Sequence, residues 1–304
     1  MIFNKVINKS FNISNFSIYI KSLILLMKPR VMSLVIFTCT VGLLTSDPSL
    51  KTLDAIIGIV LVSVGAGAAG CLNMWYEADL DALMTRTCLR PIPTGKINKK
   101  QALIFGIFLS IFSVSALYYF TNLLSAFLLF FTIAFYLFVY TIWLKRKTPQ
   151  NIVIGGIAGS LPPVIGWTIS TNSISLVPIS LFLIIFFWTP SHFWALSLYK
   201  ADDYKKANIP MMPITDGTEK TKLYIFIYSM LMLPVVFLPY LINFSGLLYI
   251  IPALAMTFYY NFICYDLYNY TKNKFDLKKA KKVFGYSILY LFLIFVFFLL
   301  DYLI

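Results

Sequence analysis

The sequence predicts an all-α polytopic membrane protein with nine transmembrane helices in one bundle. Three observations carry that expectation. The chain is 60% apolar over 304 residues with a mean hydropathy of +0.82, where soluble domains lie near about 45–50% apolar. The excess comes as repeated continuous runs of about 20 residues, the length that crosses a bilayer as a helix. The runs do not alternate, so helices are favoured over a barrel. Finally, 24 of the 25 Lys and Arg residues fall on alternate connections, as the positive-inside rule requires.

Residues 1–23 read as a polar cytosolic arm with Lys5, Lys9 and Lys21. The apolar stretch that follows has no small-residue cleavage site, so no cleaved leader is expected. Residues 24–304 are expected to form a single domain, because no connection is long enough to hold a soluble one. The first span, about 24–46, has Lys28 and Arg30 at its entry. The second, 53–74, runs into the densest group of acids in the chain. The third and fourth, 101–119 and 122–143, are joined by a short uncharged connection. The basic run Lys145, Arg146 and Lys147 precedes the fifth, 150–170, which carries Gly155, Gly156, Ala158, Gly159 and Ser160. Such small residues let membrane helices pack closely; a cofactor lying against the glycines is the alternative reading. The sixth span, 174–197, contains Pro190 and the single histidine, His192. Spans at 223–243, 246–265 and 283–303 complete the set. Pro29, Pro162, Pro163, Pro234 and Pro239 are compatible with it, since membrane helices tolerate proline.

An odd number of spans places the amino terminus in the cytosol and the carboxyl terminus outside, with Lys51 alone on the external side. The net charge of +13 then reflects topology and contact with anionic lipid, and no nucleic-acid partner is expected. The four cysteines show no C-x-x-C spacing and read as small core residues rather than disulfide or zinc ligands. The 209–222 loop is turn-rich. It reads either as a lid bringing Lys220 or Lys222 to a phosphate or as a solvated loop.

The candidate chemistry begins at Asn73, Glu77 and Asp81, spaced i, i+4, i+8 so that one helix face carries all three. An amide and two carboxylates are hard oxygen ligands suited to Mg²⁺. Arg86 and Arg90 follow at i, i+4, and arginine suits phosphate. The set reads as a metal–diphosphate clamp or, alternatively, as a solvated helix end with local ion pairs. Asp202 and Asp203 lie just past the sixth span, on the same membrane face by the charge rule. Two acid sites facing one cavity could hold two metals on one diphosphate. His192, between Trp188 and Trp194, is an ionisable group at membrane depth and so a functional candidate. It reads as a metal ligand, including for haem iron, or as a hydrogen-bonded core residue.

At these residues the chain resembles the UbiA superfamily of intramembrane prenyltransferases. The resemblance covers nearly the whole chain. It is carried by K-P-R-V (28–31), N-M-W-Y-E-A-D-L-D (73–81), M-T-R-T-C-L-R-P-I-P-T-G (84–95), K-R-K-T-P-Q-N-I-V-I-G-G (145–156), P-P-V-I-G-W (162–167), W-T-P-S-H-F-W-A-L (188–196) and D-D-Y (202–204). The superfamily's N-D-x-x-D-x-x-x-D pattern falls on Asn73, Glu77 and Asp81, with Met74 in place of its first Asp. His192 and Tyr199 stand where quinone-directed members often have Asp, and they resemble the haem-directed branch. The resemblance implies nine helices around a lipid-open cavity and one or two Mg²⁺ held by Asn73, Glu77, Asp81, Asp202 and Asp203. It implies farnesyl diphosphate and haem B as substrates, bound by Arg86, Arg90, Lys145, Trp188, His192, Trp194 and Tyr199. A bacterial inner membrane is the expected location, with a haem A synthase or terminal oxidase downstream. The rival readings are a prenyltransferase for quinone or chlorophyll-type acceptors and a secondary transporter. Both acid clusters at one face, rather than at the midplane between inverted repeats, argue against transport.

Overall fold

The computed structural model describes residues 13–46, 51–269 and 277–304. Lys5, Lys9, Lys272 and Lys274, which carry part of the charge asymmetry, lie outside the described residues. All regular structure among the described residues is helical. Helices α1 (Ile13–Leu26) and α2 (Pro29–Leu44) are bent by 51° at their junction. Then come α3 (Thr52–Tyr76), the short α4 (Ala78–Leu83), α5 (Lys99–Phe120) and α6 (Leu123–Leu144). The half-span helices α7 (Asn151–Ser160) and α8 (Pro162–Thr171) precede α9 (Leu176–Tyr199). The short α10 (Ala201–Lys206) and α11 (Met212–Thr215) lead to α12 (Thr218–Leu241), α13 (Leu247–Asn269) and α14 (Leu277–Leu303).

Among the described residues, eight spans are long and apolar enough to cross a membrane, with α7 and α8 as one, and the number is nine when the bent α1–α2 pair is taken as one span. The chain is an integral membrane protein. Two details differ from the expected spans. The first is broken at Lys28, and helix already covers residues 13–23 of the polar arm. The fifth is interrupted at Leu161, where Pro162 and Pro163 start a new helix because neither can donate a backbone hydrogen bond.

Successive helices pack side by side, and α14 returns against α2 through the Phe37–Phe292 pair to close the bundle. Helix α9 is central, touching α7, α8, α12 and α14. Its side chains anchor the largest apolar core, which joins Leu181, Ile184, Trp188 and Trp194 to α12–α14. Large apolar side chains on α5, such as Phe108 and Ile111, point outward, as a lipid-facing surface requires. Helices α2 and α8 approach until their backbones touch. A Cβ on Gly42 would strike the backbone of Pro163, and one on Gly166 the backbone of Cys39. In the fifth span Gly155 packs on Tyr140 and Gly156 on Thr189, while Gly159 faces open space. All four cysteines are free thiols, and Cys39, Cys71 and Cys264 are buried.

Candidate active site

The acid stretch keeps its helical track although α3 formally ends at Tyr76. Glu77 N–H donates to Asn73 O at 2.9 Å and Asp81 N–H to Glu77 O at 2.8 Å. Asn73, Glu77 and Asp81 therefore share one face, and all three are buried, at 1%, 2% and 0% exposure. Burying two carboxylates beside an apolar core is costly without partners. Each of the three residues has a cation drawn from a different part of the chain. Lys28, at the α1–α2 junction, donates to Asn73 Oδ1 at 2.5 Å. Lys145, at the end of α6, donates to Glu77 Oε2 at 2.6 Å. Arg90 Nη1 reaches both oxygens of Asp81 at 2.8 Å.

The last half of α6, Phe135–Leu144, is a π-helix, and Lys145 N–H donates to Tyr140 O. This widened segment brings Thr141 Oγ1 within 3.0 Å of Asn73 Nδ2, so the Asn73 oxygen is turned toward Lys28. Asp79 points elsewhere, to Arg146, which donates to both its oxygens at 3.0 and 2.9 Å. Burial pushes the Asp79 carboxyl up. The Arg146 hydrogen bonds and charge outweigh it, and the carboxyl sits below its ordinary value.

Arg86 and Arg90 do not share a helix face. Helix α4 stops at Leu83, Met84 is extended, and residues 84–90 run as turns. Arg90 folds back on Asp81, while Arg86 is exposed and lies within electrostatic reach of Tyr140 and Tyr199. The second acid pair sits in the first turn of α10, with Asp202 exposed and Asp203 9% exposed. Neither makes an ion pair among the described residues. The two segments approach each other around Tyr140 and Tyr199: Glu77, Arg86 and Tyr204 lie within electrostatic reach of Tyr140, and Arg86 and Tyr204 within reach of Tyr199. No three Asp, Glu, His or Cys side chains among the described residues are placed to hold one ion.

The donor set that fits a divalent cation is therefore the Asn73–Glu77–Asp81 track. Its oxygens are hard ligands, and they are already held by the protein's own cations. Glu77 Oε1, 2.6 Å from Lys145 Nζ but outside hydrogen-bond geometry, is a buried acceptor with no hydrogen-bond donor.

His192 lies deeper in the bundle. Its ring is stacked between Trp188, centroids 4.2 Å apart, and Phe284, 4.6 Å apart. Nδ1 is 2.7 Å from Ser287 Oγ. Ser287 Oγ gives its own proton to Phe284 O at 2.6 Å, so it accepts from Nδ1–H. The lone pair of the neutral ring then resides on Nε2. Trp188 spends its N–H on Ser287 O at 2.8 Å. Trp194 is 1% exposed and packs against Tyr224 and Tyr228. Tyr199 packs edge-on against Phe284.

A profile of the UbiA prenyltransferase family matches residues 34–288. The chain belongs to the UbiA prenyltransferase family. It is 69% identical over 304 residues to the protoheme IX farnesyltransferase of Pelagibacter ubique (strain HTCC1062), covering 99% of each chain. Among solved structures, it resembles one described as digeranylgeranylglyceryl phosphate synthase, with a TM-score of 0.76 at 17% identity, covering 93% of this chain and 98% of the other. It also resembles a UbiA homologue from Archaeoglobus fulgidus bound to DMAPP and Mg²⁺, with a TM-score of 0.69 at 16% identity, over 90% and 99%. At these identities the solved structures establish a shared fold. Membership explains why an apolar bundle carries a buried acid track: a prenyltransferase handles a charged leaving group and a greasy tail together.

Sequence reasoning missed Lys28 as part of this site. Its sequence signal was only the K-P-R-V motif, where a basic residue before Pro reads as an interfacial anchor.

Proposed function

We propose that this chain transfers the farnesyl group of farnesyl diphosphate to a vinyl group of haem B, releasing diphosphate and giving hydroxyethylfarnesyl haem (haem O). The observation that carries the reading is the buried Asn73–Glu77–Asp81 track, ringed by Lys28, Lys145 and Arg90. The full-length likeness to a farnesyltransferase named for protohaem supports the choice of acceptor.

Asn73, Glu77 and Asp81 would hold Mg²⁺, which would neutralise the diphosphate and make it a leaving group. Asp202 and Asp203 would hold a second ion. Lys145, Arg86 and Arg90 bind the diphosphate oxygens, which offer them bidentate or point-charge partners. The allylic C–O bond breaks with its electron pair leaving on diphosphate. The haem vinyl π-electrons form the new C–C bond. Water adds to the resulting cation and loses a proton, which completes the hydroxyethyl group. The apolar interior keeps water from the farnesyl cation until then, and aromatic faces can stabilise such a cation; Trp188, Trp194 and Tyr199 belong to the substrate-binding set. His192 offers the Nε2 lone pair to haem iron.

The arm, residues 1–23, is cytosolic, and residues 24–304 form the catalytic bundle. The enzyme sits in a bacterial inner membrane, amino terminus inside and carboxyl terminus outside, and delivers its product to a haem A synthase or terminal oxidase. The test is purified protein with Mg²⁺, haem B and radiolabelled farnesyl diphosphate. Label is expected in haem. Label in a phenolic acid instead would assign a quinone-type acceptor.

A further inference from the structure

Lys28 is held in an unusual way. It is a non-glycine residue in the left-handed region, φ 53° and ψ 53°, at the 51° bend between α1 and α2. Such a conformation is costly for a residue with a Cβ and persists where its surroundings impose it. The surroundings here include Gly67 and Gly70, three residues apart on one face of α3. A Cβ on Gly67 would collide with Met27, and the Lys28 stem lies in van der Waals range of Gly70, 3.4 Å from where its Cβ would be. Helix α3 thus lets the junction settle close to it, and the Lys28 ammonium reaches Asn73 Oδ1 at 2.5 Å. Asn73 cannot turn away without losing its bond to Thr141. The Lys28 ammonium is also within electrostatic reach of Glu77, Asp81, Lys145 and Arg90. Three cations therefore serve two carboxylates and one amide.

We propose that Lys28 is a resident counter-ion of the metal track, which must leave the Asn73 oxygen before a divalent cation can use it. The proposal rests on the metal–diphosphate reading above. An ammonium and a divalent cation on one oxygen repel each other strongly at such distances. With three cations already present, a bare divalent ion meets a net positive site. A diphosphate changes this, because its anionic oxygens give the displaced ammonium a new partner. Metal and diphosphate then enter together, each raising the affinity for the other by the same factor. Lys28 is in this sense a positioning residue: it decides when Asn73 becomes a ligand.

The experiment uses the purified full-length protein in detergent, Mn²⁺ as the probe read by electron paramagnetic resonance, and inorganic diphosphate. Wild type is expected to bind Mn²⁺ weakly alone and at least about tenfold more tightly with diphosphate. Lys28→Met keeps the aliphatic stem and is expected to bind Mn²⁺ alone at least about tenfold more tightly than wild type. Lys28→Arg keeps the charge and should retain the wild-type pattern. Unchanged or weaker Mn²⁺ affinity in Lys28→Met overturns the counter-ion role, as does a wild type that binds Mn²⁺ equally with and without diphosphate. Glu77→Gln separates the metal site from the counter-ion role of Lys28. If it binds Mn²⁺ with diphosphate as well as wild type does, the metal is not on this track and the parent reading fails. If it loses Mn²⁺ while Lys28→Met matches wild type, only the counter-ion proposal fails.

Discussion

His192 shows how a single residue acquires a defined chemical state from its neighbours. Ser287 accepts the hydrogen bond from Nδ1–H, Trp188 and Phe284 cover both ring faces, and only the Nε2 edge remains to act. His192→Ala is expected to weaken haem binding by at least about tenfold and leave diphosphate binding unchanged. An absorption titration with haem, beside a diphosphate binding curve, reads both. Asp79 makes the opposite case. Its pair with Arg146 is exposed, at 55% and 36% for the two side chains, and such pairs are worth under about 1 kcal/mol. Asp79→Asn should therefore retain activity. The sign of its pH dependence follows from the lowered carboxyl pKa in the folded state. The contribution is present above the ordinary carboxylate value, near about 4, and fades as the pH falls through the folded value. Thermal midpoints of Asp79→Asn and wild type should differ slightly at neutral pH and converge in acid.

Among the helices, the tightest constraint is the contact of α2 with α8. Gly42 and Gly166 let two backbones meet inside the membrane, where packing rather than water drives association. Gly166→Ala should cost about 1–3 kcal/mol by overpacking, and Gly166→Leu should abolish folded protein; size-exclusion profiles in detergent would show it. These elements differed in how legible they were. The long spans were plain in the sequence, because a bilayer demands about 20 apolar residues per helix. The break at Leu161 was less so, since membrane helices tolerate prolines such as those at 162 and 163. Asn73, Glu77 and Asp81 were legible because a four-residue period survives across the end of α3. The Arg86–Arg90 spacing misled for the same reason in reverse: Met84 leaves the helix and the period loses its meaning.

For the whole molecule, the proposed orientation, read from the basic residues, puts Lys51 outside and Lys99 inside. A cysteine placed at residue 51 in a background lacking the native cysteines should react with an impermeant thiol reagent on intact cells. One placed at residue 99 should react only after permeabilisation. The opposite pattern would invert the topology. At this scale the packing of α6 and α9 brings the segments 77–90 and 199–204 within electrostatic reach of the same tyrosines, Tyr140 and Tyr199. Their shared membrane face was legible from charge. Their relation to one another was not, since the acids of the two segments do not form one metal group among the described residues.

By itself, the sequence determined that the chain spans a membrane as helices and which helix face carries the acids. Each of these follows from local periodicity and composition, which solvent or lipid reads residue by residue. Tertiary structure alone decided which cation meets which oxygen. Lys28 and Asn73 are separated by 45 positions, and Lys145 and Glu77 by 68. No local period encodes such pairs; they exist because a bent α1–α2 junction settles on a glycine-lined face of α3 and a widened turn of α6 carries Lys145 to Glu77.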